Sequence, residues 1–350
     1  MAETALHAHL AARGAVHASD RGVVLPRHFG DPEAEYAALT RGTAVLDLGF
    51  RTPVRATGPD RVTFLQGMLT NDVAAPAPGG GCPALLLTIQ GRVTADVRVA
   101  VLSDAFVLDV DVRARDAFVH ALEQLLVADD VELSAPAEPT ALIAIDGPGA
   151  AATLAIPAAV ELAPFAHVEA RVASVPVRVV HASEVRGAGY LLHVPAAQAT
   201  AVWDALVDAG ARPCGMDALE GRRVEVGVPR IGLDMGDKTL ALEVPVEDAI
   251  SITKGCYLGQ EVVARGTARG HVNRRLEPLV LTGPAPEPGA TLVRDGKDVG
   301  LLTTVARAFG AGTLAALGFV RREHWEPGTE LSVRGGHAAT IARVASWPLA

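Results

Sequence analysis

Residues 84 to 112 contain three strand-like runs in close succession. ALLLTI (84–89) and RVTADVRVAV (92–101) flank a turn at Gln90-Gly91, and AFVLDVDV follows from Ala105. In the middle run apolar and polar residues alternate, the period of a half-buried strand, and a two-residue turn joins antiparallel neighbours. A meander of this kind has one apolar face that another layer must cover. The rest of the chain has to supply that layer.

Helix signals follow the same economy. Asp31-Pro32-Glu33 supplies an N-cap, an N1 proline and a first-turn acid, and Gly42 a stop, so a helix is predicted over 32–41. Thr57-Gly58-Pro59-Asp60 opens a second helix with Val62, Leu65 and Leu69 on one face, and 113–127 forms a third with Phe118, Leu122 and Leu125 inward. After a Pro/Ala/Glu stretch near Ala137 come a strand at 141–145, the turn Asp146-Gly147-Pro148-Gly149 and a helix. Strands are predicted around 175–181 and 189–194, and a helix from Pro195 to Ala209 turns Val202, Leu206 and Ala209 inward. Residues 215–226 read as a helix, and Gly227 to Thr253 as an irregular surface segment of the kind that often carries function.

Beyond Pro278 the runs become short and alternating, with a hairpin signal at Asp295-Gly296, which predicts a separate barrel or roll. The expected class is α+β. The expected division is a unit over 1–136 completed by 214–275, a second unit over 137–213, and a C-terminal β unit over 276–350.

A net charge of −9 argues against a general nucleic-acid or membrane-surface binder. No apolar run approaches the roughly 18 residues of a membrane span. The N-terminal MAETALHAHLAARG lacks a basic stretch followed by an apolar one, so a cytoplasmic location is expected. Three cysteines, widely spaced and without CxxC, predict neither a disulfide framework nor a self-contained metal site.

The cysteine that stands out is Cys256, in KGCYLGQE (254–261). Lys254 and a following helix N-terminus would favour its thiolate, and Gly255 and Gly259 would give it access. A buried cysteine acting as a small hydrophobe is the alternative, and it is the reading for Cys82 and Cys214. RGTARGHVNRR (265–275) adds four arginines and no acid. It reads as a solvated basic face, as a clamp for an anionic ligand, or as a local RNA contact through Arg265–Arg275.

K-G-C-Y-x-G-Q-E followed by V-A-R resembles the signature of the YgfZ-type folate-binding proteins, relatives of the glycine-cleavage T-protein, an aminomethyltransferase. DLGFR (47–51), TGPDRVTFLQGMLTNDV (57–73), GRVTADVRV (91–99), GYLLHVP (189–195), the stretch from Leu219 to Gly227 and the C-terminal β unit extend the resemblance from about residue 40 onward. It implies two folate-binding α+β units around a central channel for tetrahydrofolate, plus a C-terminal antiparallel β-barrel. It also implies an accessory role in assembly or repair of iron–sulfur enzymes, including those that thiolate tRNA, with those clients or assembly proteins as partners.

The resemblance makes Cys256 the functional residue. It offers Asp96, Asn71, Arg223, Lys254, Gln260, Glu261 and Arg265 as folate-binding candidates. The alternative is aminomethyl transfer. Against that, Ala95-Asp96 stands where the T-protein has tandem acids, and Arg186-Gly187 aligns with its Gly-Glu pair, whose Glu holds the pterin, with only Glu184 near. Asp96 shares a strand face with Thr94 and Arg98, so a solvent-facing or Arg-paired acid also stays open. Asn71-Asp72 also reads as a turn cap.

Overall fold

The computed structural model describes residues 2–269, 272–334 and 340–346. The meander forms as Gly81–Leu87, Val93–Val101 and Phe106–Asp111, extended by Arg51–Thr57 and Glu132–Ser134 into a five-stranded antiparallel sheet. Val93, Ala95, Val97 and Val99 are buried in one core cluster with Phe64 and Leu65 of helix Arg61–Met68 and Phe118 and Leu122 of helix Arg115–Glu123. Thr94, Asp96 and Arg98 take the other face. Gly91 holds the turn at φ +73°, and a side chain there would meet Val262 at 2.8 Å.

Pro32–Arg41 is helical as predicted, with the Asp31 side chain accepting from Ala34 N at 3.0 Å. Three inward assignments fail. In helix Arg61–Met68, Phe64 rather than Val62 faces the core, and Val62 is exposed. Helix Arg115–Glu123 stops before Leu125, which is exposed. Helix Ala199–Asp208 stops before Ala209, also exposed, and buries Trp203 with Val202 and Leu206.

A six-stranded sheet runs in the order His167–Val172, Val175–Val180, Gly189–Pro195, Thr140–Asp146, Ala44–Asp47 and Arg212–Pro213. The N-terminal part of the chain thus lends Ala44–Asp47 to the sheet formed mainly by residues 137–213, so the two units interlock. The sequence pattern does not predict His167–Val172. It is an edge strand whose Glu169 and Arg171 are exposed, which dilutes its apolar pattern.

The irregular segment lacks long regular elements, as expected, but it is not a surface loop. Met235, Ala241, Val244, Val246 and Ala249 join the first core, and Asp234, Thr239 and Glu243 are buried with them. Ion pairs and hydrogen bonds make that burial of polar groups tolerable.

The last strands, Arg274–Thr282, Thr313–Arg321, Lys297–Ala308, Thr291–Arg294, Glu330–Arg334 and Thr340–Val344, close in that order into an antiparallel barrel around Leu279, Leu292, Leu302 and Val320. Helix Met216–Val226 links barrel and body. Its Gly221 lies so close to the barrel that an added Cβ would stand 2.6 Å from Arg307 O. Among the described residues no helix is long and apolar enough to cross a membrane.

Candidate functional site

Asp96 and Arg98 point from strand Val93–Val101 into a central cavity of about 50 Å³. Arg51, Glu184, Arg223 and Arg230 also line it. Arg51 is its electrostatic hub. Nη1 donates to Asp96 Oδ2 at 2.6 Å, Nε to Asp109 Oδ1 at 3.1 Å, and Nη2 to Asp109 O at 2.7 Å. Burial works against the Arg51 charge, but Asp109 and Asp96 outweigh it and push its pKa up. Burial likewise raises the Asp96 carboxyl, and Arg51 overrides this to hold it below its ordinary value.

Two acceptors are left over. Asp96 Oδ1 is buried without a hydrogen-bond donor. Arg98 Nη2 lies 2.6 Å from Glu184 Oε1, but without hydrogen-bond alignment, so that oxygen is ion-paired and still an open acceptor. Two carboxylate oxygens of cavity-lining residues are thus buried without a hydrogen-bond donor.

Arg223 lines the cavity but has no donor to give. Nε donates to Glu220 Oε2, Nη1 to Val228 O and Asp234 Oδ2, and Nη2 to Thr304 Oγ1, while Nη2 also pairs with Glu220. Its candidacy as a folate-binding residue is corrected on that ground: the guanidinium is a buried girder.

The KGCYLGQE segment lies elsewhere. Lys254 is buried, and its Nζ donates to Gln66 O, Leu69 O and Asn71 O at 2.6, 2.7 and 2.8 Å. It satisfies carbonyls at the C-terminal end of helix Arg61–Met68, a favourable place for a cation. Burial pulls its pKa down to about 8, against Asp72 and Cys82. Lys254 is thus a clasp, neither a ligand contact nor an activator aimed at Cys256. Asn71 serves the same junction, its Nδ2 donating to Pro83 O and Asp248 O. The segment leads into helix Gln260–Arg269.

Cys256 is exposed, which decides against the buried alternative. Cys214 is a core cysteine as read, its Sγ 3.2 Å from Glu35 O. Cys82 is half-buried, and burial pushes its thiol up to about 12. Gln260, Glu261 and Arg265 do not reach the central cavity, and Glu261 pairs with Arg265 one helical turn on. The basic run is largely neutralised, which disfavours the clamp reading: Arg274 pairs with Glu243 and Arg275 with Glu277. The side chain of Arg269 and all of His271 lie outside what is described.

Residues 6–254 match the family model for the GCVT N-terminal domain, and residues 273–349 that for the CAF17 C-terminal beta-barrel domain. The chain belongs to the GCVT family. Among relatives of this GCVT-family chain, an aminomethyltransferase of Thermus thermophilus is 30% identical over 288 residues, 81% of each chain. That of Desulforamulus reducens is 25% identical over 348 residues, covering 97% of this chain and 95% of the other. A chloroplastic protein of Arabidopsis thaliana, named as a putative transferase, is 28% identical over 330 residues, 93% of this chain and 76% of its own. The crystal structure of the glycine cleavage system aminomethyltransferase T from Bartonella henselae superposes with a TM-score of 0.90, covering 100% of this chain and 98% of that one at 20% identity. The chain is aminomethyltransferase-like in fold and sequence.

Of the eight candidate residues, the GCVT cavity gathers Asp96 and Arg223. It adds Arg51, Arg98, Glu184 and Arg230, which sequence reasoning did not select. Two carried usable signals. Arg98 follows Asp96 by two positions on one strand face, and Arg51 closes the DLGFR stretch.

Proposed function

We propose that this GCVT-family chain is a tetrahydrofolate-binding accessory protein of iron–sulfur cluster assembly or repair, of the YgfZ type, including support of tRNA-thiolating enzymes. The observation that carries the folate part is the pair of open carboxylate oxygens, Asp96 Oδ1 and Glu184 Oε1, in one buried cavity. A pterin edge is rich in N–H donors, so the donor set fits. Its volume does not yet fit, since about 50 Å³ holds little more than one water. Arg98, the most exposed arginine of the Arg51–Asp96–Asp109–Glu184 network, is the side chain best placed to swing aside. Asp96 and Glu184 would hold the pterin, and bound tetrahydrofolate would supply one-carbon chemistry.

Calorimetric titration of the purified chain with tetrahydrofolate tests this. Asp96→Asn and Glu184→Gln each remove an anionic acceptor and are expected to weaken binding by roughly tenfold or more, since hydrogen bonds to charged groups contribute about 1.5–3 kcal/mol. Equal affinity in both variants would place the ligand elsewhere.

The iron–sulfur part rests on Cys256, an exposed thiol at the surface. Among the described residues no group of three or more His, Cys, Asp or Glu could hold a metal. Iron–sulfur clusters usually take four protein ligands, so Cys256 would supply one and a client or assembly protein the others. Cys256→Ala is expected to abolish support of client enzymes in a deletion strain while the melting temperature stays unchanged. Full complementation by that variant refutes the assignment.

Aminomethyl transfer of the glycine-cleavage type is the second reading. It is favoured by the match to aminomethyltransferases along nearly the whole chain. A glycine-cleavage assay with purified partner proteins separates the two.

A further inference from the structure

A cleft of about 550 Å³, apart from both the cavity and the thiol loop, lies where the Gln90-Gly91 hairpin turn, the 227–253 segment and the barrel meet. Arg92, Lys238, Arg274 and Arg321 line it, with two acids, Glu243 and Glu323. It shares no lining residue with the central cavity.

The fold brings these cations together from distant parts of the chain. Val93 N donates to Thr239 O at 3.0 Å, which ties Lys238 to the strand that Arg92 precedes. Arg274 and Arg321 are direct partners across two antiparallel barrel strands. Like charges in that relation destabilise a strand pair. Arg274 is compensated, since Nε and Nη2 each donate to Glu243 at 3.0 Å and its guanidinium lies over the Phe319 ring. Glu243 is thereby occupied.

Arg321 and Lys238 are exposed, and among the described residues neither side chain has an ion pair or hydrogen bond. Arg92 has one long contact, 3.4 Å, to Asp237 O. Elsewhere this acidic chain pairs its arginines with carboxylates again and again, at Arg51, Arg98, Arg113, Arg223 and Arg230. Three cations without an ion pair among the described residues share one concavity, and one of them, Arg321, stands in a repulsive cross-strand pair. They create a positive potential over a recess able to hold a ligand.

We propose that this cleft binds a small, multiply charged anion whose oxygens bridge Arg92, Lys238 and Arg321. Guanidinium forks and an ammonium suit phosphate and carboxylate oxygens alike. A single carboxylate would engage one cation and leave the others unmatched, which is why several linked charges are required. An oligophosphate and an oligocarboxylate share that chemistry.

The test is calorimetric titration of the full chain with tripolyphosphate and, separately, with a tri-glutamate peptide. At least one is expected to bind, and which one identifies the source of the anion; binding of both shows that the cleft reads charge alone. The double variant K238A/R321A is expected to weaken binding by roughly a hundredfold, about tenfold per cation. Both side chains are unpaired, so its melting temperature should match the wild type. Glu323→Gln should tighten binding, and added salt should weaken it. The proposal falls if neither anion binds at millimolar concentration, or if K238A/R321A binds as well as the wild type.

Discussion

An Asp234→Ala chain is expected to lose about 3–5 kcal/mol of stability, the range found when one partner of a buried ion pair is deleted. Asp234 is 1% exposed. Its Oδ2 accepts from Arg223 Nη1 at 2.8 Å and from Arg230 N at 3.0 Å. Its Oδ1 accepts from Thr303 Oγ1 at 2.6 Å and Thr304 Oγ1 at 2.7 Å. These donors come from helix Met216–Val226, the irregular segment and barrel strand Lys297–Ala308, so one carboxylate ties three parts of the fold together. Without it the Thr304 hydroxyl and the Arg230 backbone N–H lose their acceptor, and Thr303 Oγ1 is left with Leu317 O at 3.1 Å. Arg223 keeps Glu220, a residue that burial pushes up and Arg223 and Arg230 bring down to about 2. Urea unfolding measures the loss, and limited proteolysis should show the barrel released before the body. Asp234→Asn keeps the shape and part of the hydrogen bonding, so its loss should be smaller. A change under about 1 kcal/mol for the alanine variant, the size of a single ordinary hydrogen bond, would mean that this network is not what fastens the barrel.

That network also marks the limit of what the sequence discloses. Local signals carried well. The Asp31-Pro32-Glu33 cap, the Gln90-Gly91 turn and the alternating strands depend on near neighbours, and the structure has them where the pattern puts them. The barrel was legible in part for the same reason, since three of its six strand pairings are hairpins between successive strands. What failed depended on distant partners. Residues 227–253 look like a polar surface loop because Asp234, Arg230 and Glu243 are charged, yet their partners lie on other elements and allow burial.

The site divided in the same way. Asp96 is legible because its strand face can be read from alternation. Lys254 is not, because proximity in sequence to Cys256 stands in for geometry, while its ammonium turns back to carbonyls more than 180 residues earlier. Glu184 escapes selection because it stands three residues before the aligned Gly187, in the turn between strands Val175–Val180 and Gly189–Pro195, where no alternation shows which way a side chain points.

The second large effect concerns pH. Asp146 is fully buried, and burial pushes its carboxyl up to about 7, against a hydrogen bond from Ser183 and with Glu184 adding to the rise. Its Oδ1 has no partner, and its Oδ2 accepts a 3.3 Å bond from Glu184 N. An acid raised in the folded state is more protonated there than in the unfolded chain. Its contribution to stability is fully present below the unfolded value near 3.8 and is lost as pH rises through about 7. Asp146→Asn cannot ionise and escapes that loss. The stability difference between variant and wild type is therefore expected to grow in the variant's favour by on the order of 4 kcal/mol from about pH 4 to about pH 8, at about 1.4 kcal/mol per unit.

The difference is the quantity to measure, because the absolute profile mixes signs. Asp47, raised by burial to about 6, loses stability over an overlapping window. His193, lowered by burial to about 3, gains stability as pH rises from about 3 to its ordinary value of 6.5. Both are present in the two proteins and cancel. Urea melts of wild type and Asp146→Asn at about pH 4, 6 and 8 decide the matter, and a pH-independent difference would refute the assignment. Glu184 gives an internal check. Because its charge helps to raise Asp146, Glu184→Gln should shrink the wild-type loss above about pH 6, linking the proton on a sheet carboxyl to a residue that lines the candidate folate cavity.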